Sequence, residues 1–195
     1  MLKPGQMIEN PVSGARLLVC ETGRETGGKR AVVEHFIAPH SGKDAIAHWH
    51  TIAAERFEIL RGAGRYQLAK LEQPVAAGDV LDFPPKISHL HPWNTADEEL
   101  HVRQTINLIE PNPRYLTVHE AFFETLFGLA RDGKLDRNGT PNLLQLAVMA
   151  RSLHPYTYLS GLPVPGQHLW FGTLALVGRR VGYRAQYPEY DEGEK

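Results

Sequence analysis

Residues 42–62 read GKDAIAHWHTIAAERFEILRG, and this stretch decides the fold. His48 and His50 are one residue apart, and Glu55 follows after four more. Side chains on a β-strand alternate with period two, so His48 and His50 point to the same side. Glu55, Phe57 and Ile59 alternate with Arg56 and Glu58, which puts one carboxylate and then apolar filling on a single face. The spacing predicts two strands, 45–50 and 55–60, joined by a short turn. Such a hairpin delivers two imidazoles and a carboxylate to one place, and that set suits a divalent first-row metal ion.

The flanking sequence extends the pattern. Segment 15–20 is a first strand candidate, 30–38 is rich in β-branched and aromatic residues, and 65–68, 73–75, 80–83, 88–91 and 99–109 follow as further strand candidates. Glycines and prolines punctuate the gaps between them, as at Gly27-Gly28, Pro39, Gly42, Gly62, Gly64, Gly78 and Pro84-Pro85. Many short strands with Gly/Pro turns predict an all-β barrel or sandwich, after an irregular start over 1–14. At Pro111-Asn112-Pro113 the grammar changes. Thr117 and Glu120 have capping-box spacing, and Phe122, Phe123, Leu126, Phe127 and Leu129 recur at helical spacing until Asp132-Gly133. Thr140-Pro141 starts a second helix that ends near Leu153, and 168–177 is a third apolar stretch before a polar tail, 187–195. The expected organisation is a barrel with N-terminal strands over 1–112 and a helical extension over 113–195, packed on the barrel or on a partner subunit.

The chain has 195 residues, 42% apolar and 22% charged, which is ordinary for a globular protein with a sizeable core. A net charge of −1 implies no general attraction to nucleic acid or to an anionic membrane. The single cysteine, Cys20, excludes an internal disulfide and fits a reducing compartment. The first residues lack a signal-like apolar stretch and no run is long enough to span a bilayer, so a cytoplasmic location is expected.

A second cluster, 78–94, reads GDVLDFPPKISHLHPWN. Together the two clusters resemble the cupin superfamily. Its first motif, Gly-x5-His-x-His-x4-Glu-x6-Gly, is met at every fixed position by Gly42, His48, His50, Glu55 and Gly62. Its second, Gly-x5-Pro-x-Gly-x2-His-x3-Asn, is met by Gly78, Pro84 and His89, with Lys86 in place of a glycine and Asn94 one residue late. The resemblance covers roughly residues 10–110. It implies a mainly β chain, a double-stranded β-barrel (jelly roll), here followed by the C-terminal α-helical extension.

The resemblance also implies that His48, His50, Glu55 and His89 bind a divalent transition metal, which can be Fe, Mn, Ni, Zn, Co or Cu. His91, at strand spacing from His89, is left open as a replacement, a supplement or a residue of the rim. The function expected is metal-dependent oxidation of the dioxygenase kind, or isomerisation, of a small molecule, with Glu55 also moving a proton; the alternative is a non-catalytic ligand-binding or sensor barrel. A homodimer is expected from the exposed sheet edges and the apolar tail. No nucleic-acid partner is expected. Membrane association through 168–177 and the following Arg179, Arg180 and Arg184 is not expected either, because the stretch is short and Gly172 and Gly178 weaken it.

Overall fold

The computed structural model describes residues 1–43 and 46–191. Its strands are β1 (Met7–Asn10), β2 (Ala15–Glu21), β3 (Arg30–Ile37), β4 (His48–His50), β5 (Ala53–Arg61), β6 (Ala63–Leu68), β7 (Leu71–Ala76), β8 (Val80–Phe83), β9 (His89–Asn94), β10 (Leu100–Leu108) and β11 (Thr157–Leu159). The helices are α1 (Pro113–Arg131), α2 (Leu143–Leu153) and α3 (Val164–Arg180). The strands form two antiparallel sheets, one ordered β1-β2-β3-β10-β5-β8 and the other β11-β4-β9-β6-β7. The chain is therefore mainly β with helices toward its C-terminal end. Strand β4 is shorter than the predicted 45–50, whose first residue, Ala45, lies outside the described residues, as does 192–195 of the tail.

Strand register places one continuous inner face on the larger sheet. Val19 pairs with Val33, Val33 with Gln104, and Gln104 with Phe57, and antiparallel partners point to the same side. The smaller sheet covers one part of this face. There Ile37, Phe57, Ile59, Phe83, Leu100 and Val102 bury against Val75, with Tyr66 and Leu68 alongside. Helix α1 covers the rest. Its Phe127, Phe123 and Leu126 pack on Ile8, Leu17, Val19 and Val33, while Tyr115 and Leu116 pack on Ala31, Ala53 and Ile106. The helix thus lies on the side of the large sheet that faces the interior.

The segment after residue 113 is not purely helical. Strand β11 joins the edge of the smaller sheet, pairing Thr157 with His50, Tyr158 with Trp49 and Leu159 with His48. A three-residue strand carries little signal in a sequence, and this one exists because β4 offers it a free edge. The helix start also differs from the capping-box expectation. α1 begins at Pro113, and Asn112 accepts a hydrogen bond from the Tyr115 amide at 2.9 Å. Glu120 instead accepts from the Gly23 amide at 2.7 Å, tying the helix to the loop after β2.

One close approach holds the smaller sheet together. Gly64 on β6 faces β9, and a Cβ there would lie 2.1 Å from the Trp93 carbonyl oxygen. Backbone cannot yield as a flexible side chain would, so Gly64→Ala is expected to destabilise the fold by about 1–3 kcal/mol. Urea denaturation checks this as a lower midpoint at unchanged slope.

Candidate metal centre

Five side chains converge between the two sheets. His48 and His50 come from β4, His89 and His91 from β9, and Glu55 from β5. One donor atom from each lies within 4.8 Å of all the others. Because β4 and β5 belong to different sheets, the turn at 51–52 carries the chain across the interior. The four imidazoles therefore come from the smaller sheet and the carboxylate faces them from the larger one. His48 and His89 are direct partners in register. Glu55 Oε2 lies 3.1 Å from His89 Nε2, 3.2 Å from His91 Nε2 and 3.5 Å from His50 Nε2. His50, Glu55 and His89 are buried, and His48 and His91 are half-buried, so the cluster opens on the side of these two.

The irregular second motif has a geometric cause. Leu90 pairs with Gln67 and Trp93 with Arg65, so β9 uses three steps where β6 uses two. The extra residue is a bulge at 91–92, and it displaces Asn94 by one position. His89 precedes it and His91 is its first residue, and both reach Glu55. Asn94 still ties the end of β9 to its surroundings. Its Nδ2 donates to the carbonyls of Ile37 (3.0 Å) and Glu98 (2.7 Å), and its Oδ1 accepts from the Ala96 amide at 2.8 Å. Lys86 adopts φ 65°, the left-handed conformation that a glycine takes without strain, and its amide donates to the His50 carbonyl at 2.7 Å.

Hydrogen bonds at the far nitrogens aim two of the imidazoles. His89 Nδ1 donates to the Ile87 carbonyl at 2.9 Å. His50 Nδ1 meets the Thr157 hydroxyl at 2.9 Å and the Tyr115 hydroxyl at 3.1 Å. The carbonyl at His89 Nδ1 requires a proton there, and the two hydroxyls at His50 Nδ1 can accept one, which leaves Nε2 of a neutral ring with a bare lone pair toward the cluster. Both Nε2 atoms are buried without a hydrogen-bond partner. A buried polar atom left unsatisfied costs about 1–3 kcal/mol, and a metal ion would satisfy both at once. The donor set fits such an ion on its chemistry as well, since neutral imidazoles and one carboxylate suit first-row metals without naming one.

The charge state agrees. Burial alone would raise the Glu55 carboxyl, but the neighbouring His50 and His91 outweigh it and hold Glu55 well below the usual carboxylate range. Burial and the adjacent imidazoles push His48 well below its ordinary value, so it stays neutral. Outside the cluster, Gln104 Nε2 donates to Glu55 Oε1 at 2.8 Å, and His35 Nε2 meets Gln104 Oε1 at 2.7 Å. This chain of bonds occupies one carboxylate oxygen and leaves Oε2 for the cluster. Burial and the Glu55 carboxylate also raise the Tyr115 phenol, which stays protonated.

His119 stands one helical turn beyond Tyr115, with its ring 6.3 Å from that of His50. Burial, then the nearby His50, pushes it from 6.5 down to about 3. The unfolded chain takes up this proton below about pH 6.5, whereas the folded chain does not until about pH 3. Stability is therefore lost as pH falls through that window, by up to about 1.4 kcal/mol per pH unit for this group. In metal-free protein, His119→Gln is expected to flatten the dependence of the urea midpoint between about pH 5 and about pH 7.

All four residues assigned by the resemblance stand in the cluster, and His91 joins them. Tyr115, Thr157, Gln104, His35 and His119 surround them and were not foreseen as parts of a site. Trp49, between the two β4 histidines, points the other way and packs on Tyr158 with ring centroids 5.0 Å apart.

No family model matches the chain, and no curated protein matches it. Solved structures do resemble it over about half its length. A protein described as a predicted oxalate decarboxylase from Thermotoga maritima is 21% identical, with 54% of this chain and 93% of that one covered and a TM-score of 0.46. A putative sugar phosphate isomerase from Acidithiobacillus ferrooxidans is 21% identical, with 51% and 62% covered and a TM-score of 0.41, so the chain spans less than two thirds of it. The cupin domain of an XRE family transcriptional regulator from Enterobacter cloacae is 13% identical, with 49% and 98% covered and a TM-score of 0.42. Several of the neighbours are described as cupins, and their named roles differ from one another.

Proposed function

We propose that this chain of cupin fold binds one divalent transition metal ion through His48, His50, Glu55 and His89, with His91 as a fifth donor, and acts on a small molecule there. The observation that carries the proposal is the pair of buried, unpartnered Nε2 atoms of His50 and His89, aimed at the one ionised carboxylate of the cluster. A bound ion would supply Lewis acidity and, if redox-active, electrons. The reaction class that fits is oxidation or isomerisation of a small oxygen-bearing substrate. The chain itself supplies the remaining functions. Gln104 holds Glu55 Oε1, so only Oε2 faces the open side. Glu55 Oε2, kept ionised, is the atom placed to accept a proton, with His91 Nε2 at 3.2 Å to share it. The half-buried His48 and His91 border the route from solvent.

Metal analysis of protein purified without a histidine tag tests the first step: one ion per chain is expected, and metal-free protein at full stability would count against it. A second reading, a non-catalytic ligand-binding or sensor barrel, draws support from His91. Five protein donors leave at most one position on a six-coordinate ion, fewer than four donors would. Water-proton relaxation of the manganese-loaded protein separates the two. An exchanging water on the ion favours catalysis, and none favours the sensor.

A further inference from the structure

Helix α3 presents an apolar face to solvent. Leu169, Thr173, Leu176 and Arg180 run along the middle of the outward side of α3, with Trp170, Val177 and Val181 beside them. Leu169 and Trp170 are 70% and 68% exposed. Between Leu169 and Val177 the inward side, with Phe171, Leu174 and Ala175, is also apolar, so this part of α3 calls for apolar surroundings on both sides. Of the two glycines in this stretch, Gly172 has open space around it and Gly178 has a packing role. Gly178 faces α2, where a Cβ would lie 2.8 Å from Val148 and 3.0 Å from the Leu144 carbonyl oxygen, so it serves close helix packing. A groove of about 340 Å³ beside the face is lined by Leu143, Leu162, Trp170 and Phe171.

Charge identifies the occupant. Between Asp136 and Glu189 the chain has no acidic residue, yet it carries Arg137, Arg151, Arg179, Arg180 and Arg184. The net charge of −1 for the whole chain conceals this segregation. A second copy docking through α3 would bring the same arginines, with no carboxylate from this segment to meet them. An anionic lipid surface offers negative charge and an apolar interior together. No helix among the described residues is long and apolar enough to cross a membrane, so α3 would lie in the plane of the interface with Trp170 at its boundary. We propose that the outward face of α3 and the rim of its groove dock this protein on an anionic lipid bilayer, against the expectation from net charge.

The face is held rigidly. Gln167 accepts from the Leu159 amide and donates to the carbonyls of Leu159 and Leu162, each at 2.9 Å, and the Tyr158 hydroxyl meets His168 Nε2 at 3.1 Å. These bonds join α3 to β11.

Flotation of the full chain with vesicles tests the proposal. Binding is expected to phosphatidylcholine vesicles containing one third phosphatidylglycerol. It should fall at least about tenfold on pure phosphatidylcholine, and likewise when sodium chloride rises from about 0.1 to about 0.5 M. The double variants Leu169→Ser/Trp170→Ser and Arg179→Glu/Arg180→Glu should each lose at least about tenfold, with circular dichroism unchanged because these side chains are exposed. Failure to float with anionic vesicles would overturn the proposal, as would equal binding to neutral ones. Light scattering that shows a dimer dissolved by Trp170→Ser, with no vesicle binding, would assign the face to a second copy instead.

Discussion

Glu55→Gln is expected to lower metal affinity more than about 100-fold, exceeding the usual loss from changing a group outside the ligand set. Glu55 is the only carboxylate in the cluster, and the other four donors are imidazoles, which bring no negative charge. A divalent ion placed among imidazoles alone in a buried site would keep its full charge in a medium that solvates charge poorly. Glutamine preserves volume and retains an oxygen to accept from Gln104, so packing survives while the charge is lost. Comparing it with Glu55→Ala separates the two contributions. Titration against a chromophoric chelator reads affinity, and metal analysis reads stoichiometry. A Glu55→Gln variant that holds its ion as tightly as the parent would remove Glu55 from the ligand set.

The second large effect lies outside the ligands. Tyr115→Phe combined with Thr157→Val deletes both hydroxyls at His50 Nδ1 and changes little else. Groups that orient a ligating histidine are worth about 10–100-fold in affinity, and the double variant should approach the upper figure. The ring is then free to place its proton on either nitrogen, and a proton on Nε2 blocks the lone pair. Stoichiometry and circular dichroism should not change. Affinity within twofold of the parent would mean that the packing of His50 alone fixes its orientation.

How far the sequence discloses this site depends on the distance between partners. The hairpin from His48 to Glu55 is local, and alternation predicts its geometry directly. His89 and His91 share a face for the same reason. The bulge that begins at His91 is visible only as Asn94 arriving one residue late, because a bulge is defined by the partner strand and not by the strand that contains it. Gln104 left a trace, as the one polar residue in the inward series Leu100, Val102, Gln104 and Ile106. Tyr115, His119 and Phe123 recur at helical spacing, yet the period does not say which sheet face the helix will cover. Thr157 left no trace at all. Its segment is too short for a strand signal, and its role depends on the edge of β4, which is 107 residues away in sequence from Thr157 to its partner His50. The strands over 15–109 were thus legible, whereas β1, which lies in the start expected to be irregular and forms by pairing with β2, and the contribution of 113–195 to the metal cluster required the three-dimensional pairing.

That pairing also bears on how the molecule is made. Strand β4 has three residues and only two neighbours, β9 and β11. Contacts between residues far apart in sequence pay a larger loop-closure cost and form slowly. On a ribosome, the barrel strands emerge and can pair well before residue 157 is synthesised. His50 gains the second of its two aiming hydroxyls only once Thr157 has been synthesised, 42 residues after Tyr115. Tight binding of the proposed ion would thereby depend on the segment that carries Thr157, and a nascent or clipped molecule lacking it would hold the ion weakly even with every ligand in place.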